Sequence, residues 1–298
     1  MHWPADHPAV ADASLSPWRH GAEEVCAGAK VVRVLRHLPG RRVATLVDLP
    51  EGSAVLKVFA SPRARGNVRR LTALRATPAG HVVPAGGLCD LAGHVSVVEW
   101  IPGTVFADLD DDRFVRASTA VGAALRALHA CGASLDREWT VTNELEQLER
   151  RATRATAHVV RTVAQEAATM KPARCVPAHR DCHPDQIVTG SSGTRWIDLD
   201  DAAMAPAALD VGNFVAHIRR DAAIGRRNQV ASAEAIRRFT EGYGSLPPDV
   251  TTWERLSLAR LAGLAETRHG RPDWQAAIFG LLAAPVVCPA PAGRQDGV

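Results

Sequence analysis

The amino-acid sequence predicts an α+β protein with two lobes, a small β-rich amino-terminal lobe and a larger, mainly helical carboxy-terminal lobe. Two patterns support this fold class. Short β-branched runs separated by turn residues are concentrated before residue 100, whereas apolar residues at helical spacing dominate after residue 113. Between the two patterns, Ile101-Pro102-Gly103 is suited to an interlobe connector. A length of 298 residues fits one bilobal unit or two closely packed lobes.

The chain is predicted to have four parts. Residues 1–20 contain three prolines and two tryptophans without a period, which indicates an irregular arm. The β-rich lobe covers residues 21–101, and the helical lobe covers residues 102–288. Residues 289–298 are rich in proline and glycine, and we expect them to form a frayed tail.

The amino-terminal lobe is predicted to contain strands around a single helix. Ser61-Pro62 is a suitable start for this helix, and Val68, Leu71 and Leu74 then lie on one of its faces. The helix is expected to end near residue 76. The predicted strands are residues 31–35, 42–47, 53–59, 82–83 and 95–98.

The carboxy-terminal lobe is predicted to be mostly helical. Phe114, Val121 and Leu128 recur at helical spacing. Charges of alternating sign from Thr142 to about Met170 indicate one long helix with a solvated face. The predicted helices are residues 113–130, 142–170, 210–220, 232–242, 251–267 and 272–284.

The composition argues against several classes of function. Apolar content of 46% is ordinary for a globular enzyme, and a net charge of +3 is too small and too scattered for nucleic-acid binding. The six cysteines form no CxxC pair, so we expect reduced thiols and no zinc site or disulfide framework. No apolar run is long enough for a membrane helix, and the amino terminus lacks the features of a signal peptide. The expectation is a cytoplasmic protein without a membrane or nucleic-acid partner, and the sequence leaves its oligomeric state open.

The most informative segment is HRDCHPDQ at residues 179–186, followed by Asp198 in WIDLDD. Phosphoryl transfer from ATP needs one carboxylate that orients and deprotonates the attacking hydroxyl, and further oxygen ligands that hold Mg²⁺. The pattern H-x-D-x-x-x-x-N supplies these groups, together with a metal-binding Asp beyond a short hairpin. Asp181 occupies the position of the base, and Gln186 occupies the position of the Asn. The Gly/Ser turn at residues 190–193 predicts a hairpin that folds Asp198 back beside Asp181.

This segment resembles the aminoglycoside phosphotransferase and choline kinase superfamily of kinase-like small-molecule phosphotransferases. Its members typically read H-G-D-x-H-x-x-N, then I-D-F/W-x-x-A, then a later Asp in D-[LIV]-[AG]. The match is dense over residues 178–217 and thinner elsewhere. The resemblance implies a bilobal protein-kinase-like fold, ATP and Mg²⁺ as cofactors, and a small-molecule hydroxyl as acceptor. The residues that carry it are His179, Asp181, His183, Pro184, Asp198, Ala202, Asp210 and Gly212.

The resemblance also implies the metal ligands. Asp198 is the first of them, and the amide oxygen of Gln186 can ligate Mg²⁺, although its longer side chain could shift the second metal or lower its affinity. Asp200 could reach a metal if the backbone is extended, and solvent exposure is an equal alternative. Asp210 resembles a structural Asp that holds the catalytic loop. His183, like the first His of the motif, is expected to serve as hydrogen-bonding scaffold.

Lys57 is the candidate for the lysine that contacts the α- and β-phosphates. It lies in VLKVF, which resembles the V-A-I-K context of kinases, and a lysine in an apolar strand is costly to bury without an anionic partner. The following helix contains no acidic residue. The partner is therefore Glu23 or Glu24 of the arm, which we favour, or Asp198, or it is lacking.

The expected nucleotide contacts are carried mainly by backbone groups. The turn between the first two strands has one glycine where kinases have three, so it is a weak phosphate-binding signal on its own. The connector residues Glu99, Trp100 and Ile101 are expected to receive adenine through backbone N–H and C=O groups. Glu99 is not expected to act as a catalytic acid.

The sequence leaves two questions open. The missing helix Glu, the poor glycine loop and Gln186 make a non-catalytic nucleotide-binding or regulatory protein the alternative to an active enzyme, but retention of both Asp181 and Asp198 favours catalysis. The acceptor is also undetermined. From residue 211 onward, eleven arginines against eight acidic residues argue weakly against a polycationic acceptor. Neutral or anionic metabolites, sugars, antibiotic intermediates and peptide hydroxyls all remain possible.

Overall fold

The amino-terminal lobe is built on a five-stranded antiparallel sheet. A computed structural model describes residues 3–18, 28–89 and 92–284. The strands run in the order β1-β2-β3-β5-β4, and helix α2 packs against them. Their bounds are β1 Lys30–Leu38, β2 Arg42–Leu49, β3 Gly52–Phe59, β4 Gly86–Leu88 and β5 Val95–Glu99, with α1 at Pro8–Ala11 and α2 at Ala64–Arg75.

One predicted strand of this lobe is wrong. Residues 82–83 do not form a strand, because a 3-10 helix occupies Pro78–Val82. The Thr77 hydroxyl caps this helix by accepting the amide of Ala79 at 3.2 Å. The edge strand is β4 instead. Its sequence does not predict a strand, because two of its three residues are glycine and glycine is depleted in strands.

The amino-terminal arm is more ordered than the expected irregular segment. It forms α1 and a 3-10 helix at Ala13–Trp18. Trp3, Ala9 and Leu15 are buried in the core of the sheet, beside residues of β2 and β3. In addition, the Asp12 carboxylate accepts the amide of Gly40 at 3.0 Å and thereby holds the β1–β2 turn.

The carboxy-terminal lobe is mainly helical and carries two small sheets. In one sheet β6 pairs with the β8–β9 hairpin, and in the other β7 pairs with β10. The residues between β7 and β8 form the predicted catalytic loop. The strands are β6 Thr104–Val105, β7 Cys175–Ala178, β8 Ile187–Gly190, β9 Gly193–Trp196 and β10 Ala203–Pro206. The helices are α3 Asp111–Ala130, α4 Val141–Arg151, α5 Ala157–Ala167, α6 Ala207–Ala223, α7 Gln229–Tyr243, α8 Val250–Thr267 and α9 Pro272–Ala283.

The long helix predicted over residues 142–170 is wrong, because the structure divides it into α4 and α5. Ala152 is extended, with ψ near 133°. Beyond it, the Thr156 hydroxyl accepts the amide of Thr153 at 2.9 Å, and the Thr153 hydroxyl donates to Glu266 of α8 at 2.6 Å. Threonine hydroxyls at this break offer the backbone an alternative to helical hydrogen bonds, which charge patterning does not reveal.

Helices α3 and α7 pack closely enough that only glycine fits at their crossing. A Cβ on Gly122 of α3 would lie 2.1 Å from the carbonyl oxygen of Phe239, and a Cβ on Gly242 of α7 would lie 1.9 Å from the carbonyl oxygen of Thr119. The α3–α7 contact is therefore a tightly packed part of the helical lobe.

No helix in the three described ranges is both long and apolar enough to cross a membrane.

We predict that Gly122→Ala destabilises the protein by about 1–3 kcal/mol, because the new methyl group overpacks the α3–α7 crossing. Gly280→Ala is the matched control, since Gly280 is also helical and its Cβ would meet no atom within 4 Å. The control should gain up to about 1 kcal/mol from helix propensity. Urea unfolding of both variants measures the difference, and equal effects would contradict the packing argument.

Candidate active site

The loop that follows β7 is held by one buried carboxylate. Asp210, in the first turn of α6, is fully buried and accepts the backbone amides of His179 at 2.6 Å and Arg180 at 2.7 Å. His129 of α3 lies 3.0 Å away through Nε2, and its Nδ1 is 2.9 Å from the hydroxyl of Tyr243 on α7. The carboxylate therefore connects the loop to three helices of the core.

The Asp181 side chain lines a cavity and is an ionised carboxylate. Its side chain is 45% exposed and lies 3.6 Å from Nε2 of His183. Burial alone would raise the pKa of Asp181, but the neighbouring His183 outweighs burial and holds the pKa well below its ordinary value. Burial likewise opposes charge on His183, but the carboxylates of Asp181 and Asp185 raise its pKa to about 9. At neutral pH the pair is a carboxylate beside an imidazolium.

Gln186 lies at the end of the loop and closes the hairpin. Its backbone carbonyl accepts the amide of Ile197 at 2.9 Å, which brings the start of the following segment back to the loop. The nitrogen of its buried side-chain amide is placed 3.3 Å from Nε2 of His183, and the nitrogen and oxygen of such an amide can be exchanged by a flip. Because a protonated His183 can only donate, the orientation that forms this hydrogen bond has the amide oxygen of Gln186 facing the ring. That oxygen keeps a second lone pair for a metal.

Asp198 and Asp200 are brought together by two cations of the amino-terminal lobe. Lys57 Nζ lies 2.8 Å from Asp198 and 2.9 Å from Asp200. Arg42 donates to Asp198 at 2.9 and 3.2 Å, and to Asp200 at 2.5 Å. We call these four side chains the carboxylate–cation cluster. Asp198 itself has φ of +56°, a left-handed conformation that is uncommon for a residue other than glycine.

Opposite charges in the carboxylate–cation cluster stabilise one another, whereas burial and the neighbouring charge of Asp198 raise the pKa of Asp200. Burial opposes ionisation of Asp198, but Lys57 and Arg42 outweigh burial and hold its pKa well below the ordinary value. Burial would lower the pKa of Lys57, and the two carboxylates raise it instead. The lysine is therefore charged, and it meets the carboxylates that are expected to hold the metal.

The partner of Lys57 among the described residues is one of the expected alternatives. The arm residues Glu23 and Glu24 lie outside the described residues, and Lys57 is paired with Asp198 and Asp200. Sequence reasoning missed Arg42. The register of β2 and β3 could have indicated this residue. Lys57 pairs with Ala44, and Arg42, two residues before Ala44, therefore lies on the same face of the sheet as the lysine.

An arginine, and no carboxylate, links helix α2 to this segment. Arg70 is almost fully buried; its guanidinium donates to the backbone carbonyl of Asp200 at 3.0 Å, to Asn67 at 2.6 Å and to Asp136 at 3.2 Å. In this chain α2 therefore positions the Asp200 turn directly.

The predicted adenine connector is fixed by its own side chain. The Glu99 carboxylate accepts two hydrogen bonds from Arg195 of β9, at 2.7 and 2.9 Å, and one from the amide of Ala85 at 2.8 Å. The backbone amide of Glu99 already donates to the Ala85 carbonyl at 2.9 Å. Backbone contact with adenine would then fall to Trp100 and Ile101, which follow directly. The Glu99 side chain links the two lobes through Arg195, and its recorded contacts are structural.

The chemistry of the donor set fits Mg²⁺. No group of three or more His, Cys, Asp or Glu side chains in the described ranges is arranged to hold a metal ion. Mg²⁺ does not need such a cage, because it is usually bound by one or two carboxylates together with waters and phosphate oxygens. Asp198 and Asp200 supply two adjacent carboxylates, and Gln186 supplies an amide oxygen. These are the residues that would hold the ion.

A cavity of about 720 Å³ opens in front of Asp181. Gln186 and Asp201 line its inner end, and residues of α6, α8 and α9 form its outer wall. Asn213 of α6 connects this wall to the loop by donating to the Cys182 carbonyl at 2.9 Å. The volume suits a small molecule held beside the carboxylate.

Comparison with known proteins identifies the class to which this fold and site belong. The family model described as "Phosphotransferase enzyme family" matches residues 33–258. The match covers most of the chain, and the chain belongs to this family of phosphotransferases. The resemblance drawn from the sequence is thus confirmed. No curated protein sequence matches the chain.

Solved structures show the same fold at low sequence identity. Amicoumacin kinase hAmiN, in complex with AMP-PNP, Ca²⁺ and Ami, superposes with a TM-score of 0.64 at 15% identity, over 84% of this chain and 86% of that chain. Aminoglycoside phosphotransferase APH(4)-Ia gives 0.65 at 14% identity, over 89% and 97%. Choline kinase LicA from Streptococcus pneumoniae gives 0.62 at 14% identity, over 88% and 95%. The predicted α+β, bilobal kinase-like fold is confirmed.

We predict that Asp210→Asn destabilises the protein by about 1.5–3 kcal/mol, because it removes a charge that accepts two loop amides and places an NH₂ group against a donor. Asp112→Asn is the control, since Asp112 lies in the first turn of α3 but is 75% exposed. Hydrogen exchange at the amides of His179 and Arg180 should accelerate in the first variant only. Unchanged exchange at both amides would contradict the assigned role of Asp210.

Proposed function

We propose that this phosphotransferase moves the γ-phosphate of ATP to a hydroxyl of a small molecule in a Mg²⁺-dependent reaction. The observation that carries the proposal is the pairing of two distinct carboxylate sites across one short hairpin. Asp181 faces the cavity as an ionised group, and Asp198 lies with Asp200 against Lys57. One site suits the attacking hydroxyl, and the other suits the phosphate end of the nucleotide.

In the proposed reaction Asp181 accepts a hydrogen bond from the acceptor hydroxyl and aims its oxygen at the γ-phosphorus. The new bond joins the hydroxyl oxygen to phosphorus, and the bond from phosphorus to the β,γ-bridging oxygen breaks. ADP leaves with the electron pair of that bond. The hydroxyl proton passes to the Asp181 carboxylate and then to solvent, so atoms and charge balance.

The remaining residues bind and orient the nucleotide. Lys57 exchanges its contacts with Asp198 and Asp200 for contacts with the α- and β-phosphates, and Arg42 is placed to follow the same phosphates. Trp100 and Ile101 offer backbone groups to adenine. Mg²⁺, when bound to Asp198, Asp200 and Gln186, neutralises the phosphate oxygens.

The fold neighbours support a small-molecule acceptor. Amicoumacin kinase, an aminoglycoside phosphotransferase and choline kinase share this fold. An antibiotic, a sugar or another hydroxylated metabolite is therefore the acceptor class we propose, and a role in antibiotic resistance is one form of it. Free cysteines at positions 131, 175 and 182 fit a reducing compartment, and we propose that the reaction takes place in the cytoplasm.

A specific observation favours a second candidate, a nucleotide-binding protein without turnover. Both metal carboxylates are held by cations, and no carboxylate of α2 competes for Lys57. Such a protein would bind nucleotide through the same residues and transfer nothing. The Asp181 variant below separates the two candidates.

Replacing the base tests the proposal. Asp181→Asn should lower phosphate transfer by about 10²–10⁴-fold, because the amide cannot accept the hydroxyl proton, while ATP affinity stays unchanged. Asp273→Asn, an exposed position on α9, is the control and should retain full activity. Transfer is measured with radiolabelled ATP over a panel of hydroxylated metabolites and antibiotics, with product mass. Equal activity of wild type and Asp181→Asn on a phosphorylated acceptor would refute the assignment.

Asp198→Asn should abolish the dependence of nucleotide binding on Mg²⁺, since the variant retains the shape of the side chain but loses the charge that faces the cation. Asp201→Asn is the neighbouring control, because Asp201 is 50% exposed and contacts Arg63 and Arg137. Calorimetric titration of ATP with and without Mg²⁺ gives the ratio of affinities. A ratio in Asp198→Asn equal to that of wild type would remove Asp198 from the metal site.

A further inference from the structure

The wall of the cavity beyond Asp181 carries an excess of positive charge. Eight arginines and four carboxylates line the cavity. Six of the arginines belong to the helical lobe, and four of these six lie on α6 and α8 or directly after them: Arg220 in the last turn of α6, Arg226 just after it, Arg260 on α8 and Arg268 at the end of α8. We call these four residues the arginine wall. They face the same space as the predicted base.

The carboxylates that line the cavity neutralise only part of this charge, since Glu144 lies 3.6 Å from Arg260 and Asp201 pairs with Arg63 and Arg137. Asp185 lies 3.1 Å from His183, and Glu144 accepts the indole N–H of Trp139 at 3.0 Å. Asp181 is the proposed base and already faces an imidazolium. The excess of arginine is therefore available to a ligand.

Two members of the arginine wall have little or no internal partner. Asp221 is engaged by Arg220, at 2.9 Å from Nε and 2.7 Å from Nη2. Arg226 lies 3.7 Å from the same carboxylate, outside hydrogen-bonding distance. Arg268 has no carboxylate within 4.0 Å in the part of the chain that the structure describes. These two guanidiniums can each bind an anion with their paired N–H groups.

His217 gives independent evidence for a ligand in the same cavity. Its ring is 6% exposed and lines the cavity, and neither ring nitrogen has a hydrogen-bond partner among the described residues. It stacks on His183, with centroids 4.5 Å apart and planes 7° apart. Burial, and then the charge of His183, lower the pKa of His217 well below its ordinary value. A neutral imidazole offers one donor and one acceptor, and buried polar groups normally have partners.

One part of the cavity lining is apolar. Trp253, Leu261, Leu264 and Ile278 line the side of the cavity formed by α8 and α9. A ring or carbon chain can pack there while its charged end reaches the arginines. The arrangement suits a compact molecule with one anionic end.

We propose that the acceptor is a small hydroxylated anion, bearing a carboxylate or phosphate that Arg226 and Arg268 bind, with its reacting hydroxyl at Asp181 and a second polar group at His217. This inference rests on the proposed phosphotransfer and names its substrate class. A polycationic acceptor would place like charges against the arginine wall, and like-charge contact across a binding surface is unfavourable.

The test compares pairs of ligands in which one member carries an anionic group that its neutral partner lacks. The enzyme is first loaded with Mg²⁺ and AMP-PNP, so that the nucleotide site is filled. Calorimetry then compares glycerate with glycerol, glucuronate with glucose, and glucose 6-phosphate with glucose; choline and an aminoglycoside represent cations. At least one anion should bind about 10-fold or more tightly than its neutral partner. The carboxylate and phosphate pairs show which anionic group is preferred.

Variants assign the preference to named residues. Arg226→Gln combined with Arg268→Gln should reduce the anion-to-neutral ratio to near one. Arg237→Gln combined with Arg238→Gln is the control, since these arginines lie on α7 and pair with Glu234 outside the cavity. His217→Phe keeps the stacking surface on His183 and should weaken charged and neutral ligands alike, leaving the ratio unchanged.

The outcomes separate the two proposals. A ratio near one for every pair in wild type, tighter binding of choline or the aminoglycoside, or a ratio unaffected by the Arg226 and Arg268 changes would overturn the anionic acceptor. Phosphate transfer from ATP to a neutral or cationic member of the panel would also overturn it, while supporting phosphotransfer. Anion binding that depends on the arginines but leads to no transfer would count against phosphotransfer alone.

Discussion

The geometry of the predicted base depends on the buried charge of Asp210. An unpaired carboxylate at this depth would cost several kcal/mol, and here its donors are the amides of His179 and Arg180 together with His129. Two of these three donors belong to the loop itself, so satisfying the charge also fixes the loop backbone. Arg180 is held with φ of +69°, a left-handed conformation that a non-glycine residue adopts only when its surroundings impose it. His129 lies on α3 and contacts Tyr243 of α7, and these two helices pack closely at their glycine crossing. The loop is thus hydrogen-bonded to a tightly packed pair of helices.

The carboxylate–cation cluster plays the corresponding role between the lobes. Its two cations come from β2 and β3, and its two carboxylates follow the β8–β9 hairpin. Each charge would be costly to bury alone, and the four together balance. The proposed ligands would bring the same pair of charges, since phosphates would replace the carboxylates around Lys57 and a metal cation would replace Lys57 beside Asp198. In the proposed function the site is therefore matched in charge to its ligands before they bind, which would reduce the reorganisation that binding requires.

The sequence was informative where a pattern is local and uninformative where a contact is distant. The hairpin that brings Ile197 back to Gln186 could be predicted, because a Gly/Ser turn between short strands closes within a few residues. The pairing of Arg42 with Asp198 joins residues far apart in the chain, and only the strand register makes it visible. The burial of Arg70 depends on how α2 seats against the Asp200 turn, and no periodicity encodes that. His217 looked like an ordinary helical residue, since its missing partners can be recognised only once the surrounding helices are placed.

A strongly cationic acceptor wall is compatible with catalysis only because of how phosphoryl groups transfer. His183, and more weakly Arg260, hold the pKa of Asp181 low against the effect of burial, which makes Asp181 a weak base. A reaction that required early removal of the hydroxyl proton would suffer from this. Phosphoryl transfer through a loose transition state instead needs a carboxylate that orients the hydroxyl, and it needs positive charge around the transferring oxygens. In the proposed reaction, the positive charge that lowers the basicity of Asp181 would also bind the anionic acceptor and stabilise the transferring group.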